Sequence, residues 1–258
     1  MYTRWRKYGR SFDLGRMTLR DLLVAYGSHP AVHVYIALAA ASLACAVHYA
    51  SGPVGPLLAV GATLGAYPLV WYGLHRFVLH SRLLYRSRWT APLWKRIHFD
   101  HHQDPHRMDV LFGSPLNTVP TLLVILLPIG WAIAGVPGAA AALCAGLLIT
   151  CGYEFCHCIQ HLNFRPRFAL LRRMKELHLA HHFHDENGNF GITSFTVDRL
   201  LGTFYGSARE RSRSPHVFNL GYDVAEAARF PWVATLSGEL PLDRPRRAPR
   251  PNETGKAA

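Results

Sequence analysis

Residues 22–75, LLVAYGSHPAVHVYIALAAASLACAVHYASGPVGPLLAVGATLGAYPLVWYGLH, contain no Asp, Glu, Lys or Arg, and neither do residues 110–153, VLFGSPLNTVPTLLVILLPIGWAIAGVPGAAAALCAGLLITCGY. Across all 258 residues, 28 are basic and 16 acidic, a net charge of +12, and only 17% are charged. At that frequency a charge-free run as long as the first arises by chance with a probability on the order of 10⁻⁵, so the charge is segregated rather than diluted. A soluble helix normally keeps a polar face, and these runs keep none. They argue against a single soluble core.

About 20 apolar residues cross the hydrocarbon of a bilayer, so each run is too long for one crossing and suits two. Each also contains a turn signal, Ser51-Gly52-Pro53-Val54-Gly55-Pro56 in the first and Gly135-Val136-Pro137-Gly138 in the second. The expectation is an all-α, multi-pass membrane protein with four spans in two helical hairpins, at about residues 32–50, 57–74, 118–134 and 139–156. Basic residues fall outside them: Arg4, Arg6, Lys7, Arg10, Arg16 and Arg20 before the first span, and Arg76, Arg82, Arg86, Arg88, Lys95, Arg96 and Arg107 between the hairpins. The hairpin turns carry no charge, so the positive-inside rule places the termini and central loop in the cytoplasm. Anionic lipid headgroups then account for the basic excess, and no nucleic-acid partner is expected. The polar, basic N-terminus gives no sign of a cleavable signal peptide. Expected divisions are a basic N-terminal segment 1–31, a membrane domain 32–206, a cytoplasmic segment 207–242 and a disordered tail 243–258. The five cysteines follow no pairing pattern and are expected as free thiols.

Ten of the sixteen histidines fall in four clusters: HRFVLH (His75, His80), HFDHH (His98, His101, His102), HCIQH (His157, His161) and HLAHH (His178, His181, His182). The order repeats, an apolar hairpin, a His pair at its exit, a gap of 17 or 18 residues, then a His-x-x-His-His triplet. On a helix, positions i, i+3 and i+4 lie within about 100° of one another, so each triplet is expected to aim three imidazoles at one point. His75 and His80 are about 140° apart on an ideal helix, and need a bulge or helix end between them, or different metals. Imidazole suits Zn, Cu, Fe and Ni, and ten rings divide into two metals with four or five ligands each. A cytoplasmic helical cap would complete this dinuclear site. His29, His33, His48 and His216 stand alone and are expected to be structural. His106 and His184, just past the triplets, are candidates for a further ligand or a pocket wall. A metal transporter is the rival of a different class, but its ligands would lie near the bilayer midplane, where none of these clusters falls.

The set of four boxes resembles the fatty acid hydroxylase/sterol desaturase superfamily of membrane di-iron enzymes. Within it, HRFVLH, HHQDPHRMDVLFGSP and HHFHDENGNFGITS are most similar to the sphingolipid fatty acid 2-hydroxylases, over about Trp71 to Gly206. The resemblance implies that His75, His80, His98, His101, His102, His157, His161, His178, His181 and His182 ligate two iron ions, with zinc able to replace iron in a recombinant preparation. It implies an O₂-dependent hydroxylation of a lipid acyl chain, expected at C2. A carotenoid ring hydroxylase, a sterol or hopanoid oxidase, and a desaturase share these boxes and remain alternatives. Where many 2-hydroxylases have a further His, this chain has Trp94. Their eukaryotic members carry an N-terminal cytochrome b5 domain with no counterpart in the roughly thirty residues before the first span. A separate cytochrome b5-like or ferredoxin-like electron donor is therefore expected, and a bacterial inner membrane is favoured over endoplasmic reticulum. Glu154, Asp100, Glu176 and Asp185 are the carboxylates nearest the boxes and are expected to orient ligand imidazoles through their second nitrogen. Phe190, in the Gly- and Asn-rich stretch Asn187–Ser194, is expected to close the site over substrate.

Overall fold

The computed structural model describes residues 12–240 and Asp243. The basic residues before Ser11 and the tail beyond Asp243 lie outside the described residues. Among the described residues the protein is helical, with one isolated antiparallel bridge between Asp13 and Arg107.

Helix α1 (Leu19–Gly27) begins at a capping box in which Thr18 Oγ1 accepts from Asp21 N–H at 3.2 Å and Asp21 accepts from Thr18 N–H at 3.0 Å. Helices α2 (Pro30–Tyr49) and α3 (Val54–Gly73) follow, separated by the turn read at Ser51–Pro53, and both pack chiefly on α7 (Pro115–His161). Three runs are long and apolar enough to cross a membrane: Pro30–Tyr49, Val54–Leu79 and Met108–His161. Only 28, 17 and 17% of their most apolar windows are buried in the protein, so most of their apolar surface faces outward. Val47, Leu57, Val124 and Trp131 are examples. Such a surface suits lipid.

Three such runs stand where four spans were expected, because the third is 54 residues long and contains a reversal. Ala134 (φ −150°, ψ 29°) and Gly135 (φ 61°, ψ −142°) leave helical geometry. Gly135 adopts the left-handed region that favours glycine, one residue before the predicted turn's Val136-Pro137. On a continuous helix Leu126 and Gly146 would be about 30 Å apart. Instead Leu126 packs on Gly146, and Gly130 lies so close to the Gly138 carbonyl that a Cβ would sit 2.3 Å from its oxygen. The chain therefore doubles back, with residues 115–133 against residues 136–161.

Between α3 and α7 the chain forms short helices, α4 (Ala91–Trp94), α5 (Asp100–Gln103) and α6 (Met108–Leu111). After α7 come α8 (Ala169–Phe183), α9 (Thr196–Leu200), α10 (Val224–Arg229) and α11 (Trp232–Ser237). A second core, centred on Tyr85, Trp94, Phe99 and Tyr222, ties α4 to the C-terminal segment. Trp94 is fully buried in it and its Nε1–H donates to the Leu79 carbonyl at 2.7 Å. At this position the side chain is a structural anchor.

Candidate metal centre

Beyond Gly73 helix α3 widens into a π-helical turn, Leu74–Leu79, closed by a 3.0 Å bond from His80 N–H to the His75 carbonyl. An i→i+5 bond sets residues five apart on one face, which an α-helix does not. The Nε2 atoms of His75 and His80 consequently lie 3.2 Å apart. A second π-helical turn, Lys95–Phe99, carries His98 toward the same place.

All ten box histidines converge, in two adjoining groups. His101, His157, His161, His178 and His182 form one, and His75, His80, His102 and His181 form the other, with candidate ligand atoms in each group within 4.8 Å of one another. His98 joins the second, its ring 4.9, 4.6 and 4.7 Å from those of His75, His80 and His102. The groups touch through His102 and His182, 4.1 Å between centroids.

The triplets do not each aim at one point. In both, the i and i+4 imidazoles serve one group and the i+3 imidazole serves the other: His98 and His102 against His101, then His178 and His182 against His181. Positions i and i+4 differ by about 40° around a helix, while i+3 sits about 100° from i+4, and that angle lets a helix between two centres feed both. Each half of the repeat thus donates one histidine to the other half's cluster.

Nine of these rings are buried and His80 is half-buried, and many of their nitrogens lack a partner, among them His98 Nε2, both nitrogens of His101 and His182, His102 Nε2 and His181 Nε2. A buried polar atom without a partner costs about 1–3 kcal/mol. Cations would satisfy these lone pairs. The contacts His157 Nε2–His178 Nε2 (3.0 Å) and His161 Nε2–His178 Nε2 (2.9 Å) match two nitrogens at right angles around an ion held at about 2.1 Å. Burial first, then neighbouring imidazoles, hold His98, His101, His102, His178, His181 and His182 well below the ordinary imidazole pKa. Neutral rings are what metal ligation requires. The donor set fits two metal ions.

Backbone carbonyls orient the rings. Nδ1–H of His75 donates to Phe190 O (2.5 Å), that of His102 to Val217 O (2.9 Å) and that of His181 to Gly188 O (2.8 Å), which leaves Nε2 facing the cluster. The four expected carboxylates have other partners: Asp100 pairs with Lys95 (2.7 Å), exposed Glu176 with Arg173 (3.4 Å), Asp185 with Arg211 (2.9 Å), and Glu154 accepts from Gly113 N–H (3.2 Å). His106 lies behind the first group, its Nδ1 3.0 Å from the His161 carbonyl, and His184 bonds the Arg211 carbonyl at 2.8 Å, so neither joins a cluster. His29, His33, His48 and His216 also lie outside both groups.

A cavity of about 440 Å³ opens beside the histidines. His75, His98, His101, His157, His178 and His182 form its polar end, and Trp71, Leu74, Val78, Leu79, Leu93 and Leu122 are typical of its apolar walls. Phe190 does not line it. Its ring packs against His75, His80 and His181, at 5.6, 5.2 and 5.7 Å, and so backs the second cluster. Sequence reasoning missed Asp198 and the segment around Val217. Asp198, wholly buried, accepts from the N–H groups of Phe190 and Gly191 at 2.8 Å each. Its sequence signal is slight, one acid beside Arg199 in the short stretch Phe195–Leu201.

A family model for fatty acid hydroxylases matches residues 59–203, more than half the chain, and the chain belongs to that family. It is 34% identical over 145 residues to the ceramide very long chain fatty acid hydroxylase SCS7 of Saccharomyces cerevisiae, covering 54% of this chain and 35% of that protein. It is 30% identical over 157 residues to the dihydroceramide fatty acyl 2-hydroxylase FAH2 of Arabidopsis thaliana (59% and 62%) and 28% identical over 137 residues to the fatty acid 2-hydroxylase of Rattus norvegicus (52% and 36%). The chain thus spans between about a third and three-fifths of the length of these relatives. Among solved structures it is similar to full-length Scs7p, of which only the hydroxylase domain is visible, with a TM-score of 0.57 and 25% identity over 78% of this chain and 71% of that one.

Proposed function

We propose that the protein is a membrane-embedded hydroxylase that places oxygen on C2 of a lipid acyl chain. The observation that carries this is the junction of ten imidazoles, nine of them buried, in two cation-sized groups, with an apolar cavity at the ends of α3 and α7. The relatives named above, whose names specify ceramide, fatty acid and fatty acyl 2-hydroxylation, support the substrate class and the carbon. Residues 32–206 form the membrane unit, with α2 and α3 as one hairpin and the two halves of α7 as the other, giving four crossings. The basic N-terminal and central segments, the histidines and the C-terminal segment lie in the cytoplasm as a cap on the membrane unit.

Two iron ions bound by the ten histidines would supply activation of O₂ and abstraction of hydrogen from an unactivated C–H bond. The chain's own residues position and exclude. Leu74, Val78 and Leu122 hold methylene groups beside the imidazoles while the chain's tail remains in the apolar walls. The carbonyls of Phe190, Gly188 and Val217 keep a proton on Nδ1 of three rings and so present Nε2 to the site. Electrons come from a separate donor, cytochrome b5-like or ferredoxin-like.

Comparative mass spectrometry of lipids from one host strain expressing wild type or His181→Ala tests the proposal. A gain of one oxygen in an acyl chain, at C2 by fragmentation and in the wild type alone, is expected. Oxygen found only on a carotenoid or sterol, or no difference with the donor supplied, would overturn it.

A further inference from the structure

The loop after the second triplet is aimed by hydrogen bonds on its far side. The N–H and C=O of a trans peptide point in opposite directions. Gly191 N–H donates to Asp198 Oδ2 at 2.8 Å, which turns the carbonyl of the same peptide, Phe190 O, toward Nδ1 of His75. Two peptides earlier the arrangement recurs: Asn189 N–H donates to the Thr203 carbonyl at 3.1 Å, which turns Gly188 O toward Nδ1 of His181. Thr203 is tied to the same carboxylate, its hydroxyl donating to Asp198 Oδ1 at 2.7 Å, and Phe190 N–H donates to that oxygen at 2.8 Å. Asn189 holds a left-handed conformation (φ 53°) between the two clamps, and its side chain pairs with the Tyr205 backbone at 3.0 and 3.1 Å. Gly191 leaves no room for a Cβ, which would fall 2.9 Å from Asp198 Oδ2.

His75 and His181 both belong to the second cluster. Four of the five rings of the first cluster ride on α7 and α8, and no ring of that cluster bonds a carbonyl of residues 188–191 among the described residues. The loop therefore bears on one cluster of the two.

Taking the two groups as metal sites, as proposed above, we infer that Asp198 is the positioning residue of the second cluster alone: through the peptides of residues 188–191 it fixes the rings of His75 and His181, and its loss empties that cluster while the first stays loaded. A carboxylate does this because each of its two oxygens accepts one of two successive N–H groups, those of Phe190 and Gly191.

The test is metal content per chain of the purified full chain in detergent, with iron measured by inductively coupled plasma mass spectrometry and helix content by circular dichroism. Wild type is expected to hold two metal ions and Asp198→Ala one, at unchanged helix content. His181→Ala is expected to match Asp198→Ala, and the double variant to lose nothing further. Asp198→Asn, which keeps one acceptor oxygen, should fall between one and two. Two metals in Asp198→Ala, or none at native helix content, would overturn the inference. Should Asp198→Ala fail to fold, Thr203→Val removes one bond to the carboxylate and leaves both backbone bonds. It is expected to release one of its two metals faster than wild type under chelator challenge, and equal release of both would overturn the inference. Fewer than two metals in wild type would instead overturn the two-metal proposal on which it rests.

Discussion

His80 N–H donates to the carbonyl of His75 at 3.0 Å, and this one π-helical bond brings two imidazoles five residues apart to within 3.2 Å of each other at Nε2. Deleting Val78 would shorten the pair to a spacing an α-helix tolerates but rotate everything after it by about 100°. The deletion is expected to lower metal content to one ion per chain, read by mass spectrometry. An unchanged two ions would show that the turn is dispensable.

The exchange of histidines between triplets makes a sharper prediction. His101 and His178 come from different triplets and share a cluster, whereas His98 and His101 share a triplet and serve different clusters. His101→Ala with His178→Ala should therefore cost one metal, and His98→Ala with His101→Ala should cost two. If each triplet served a single point, the order would reverse.

The cavity predicts a separation of binding from chemistry. Leu74 lines it without belonging to either cluster. Leu74→Trp should fill the wall and lower hydroxylation at least tenfold, equivalent to about 1.4 kcal/mol of barrier. Metal content should stay at two, and loss of metal together with activity would place Leu74 in the scaffold of the clusters instead.

The reversal within α7 depends on backbone contact. A methyl group on Gly130 meets the Gly138 carbonyl, while one on Gly61 meets nothing within 4 Å. Gly130→Ala is expected to destabilise the fold by about 1–3 kcal/mol through overpacking, and Gly61→Ala to leave it unchanged or slightly more stable. Denaturation in detergent followed by proteolysis compares the two. Equal behaviour would mean that the close approach carries no energy.

Much of this architecture is legible in the chain. Missing charge over residues 22–75 and 110–153 marks the long helices, and Gly135 and Pro137 mark the reversal. The ten histidines that converge are those the four boxes contain, and of the two readings the five-residue spacing of His75 and His80 left open, a bulge or different metals, the structure has the bulge. Other features were not legible, for physical reasons. Angular spacing tells which side chains can share a face but not what lies opposite, so the splitting of each triplet between two clusters appears only when α5 and α8 are placed between them. Acids near the boxes in sequence were expected behind the imidazoles, and for His75, His102 and His181 the partners are carbonyls, which every residue carries and no sequence pattern marks. Those of Phe190 and Val217 each lie 115 residues from the histidine they orient. Phe190 reads as a lid because it is apolar in a turn, and stands behind the second cluster because Asp198 holds its backbone there.

The ten histidines are proposed to serve the insertion of oxygen from O₂ into an acyl C–H bond. Lipids made by the wild type under ¹⁸O₂ test it most directly. One ¹⁸O atom is expected at C2 of the hydroxylated acyl chain, and none in lipids from a His101→Ala strain. Product oxygen that carries no ¹⁸O, or labelled product of equal yield from the variant, would contradict it.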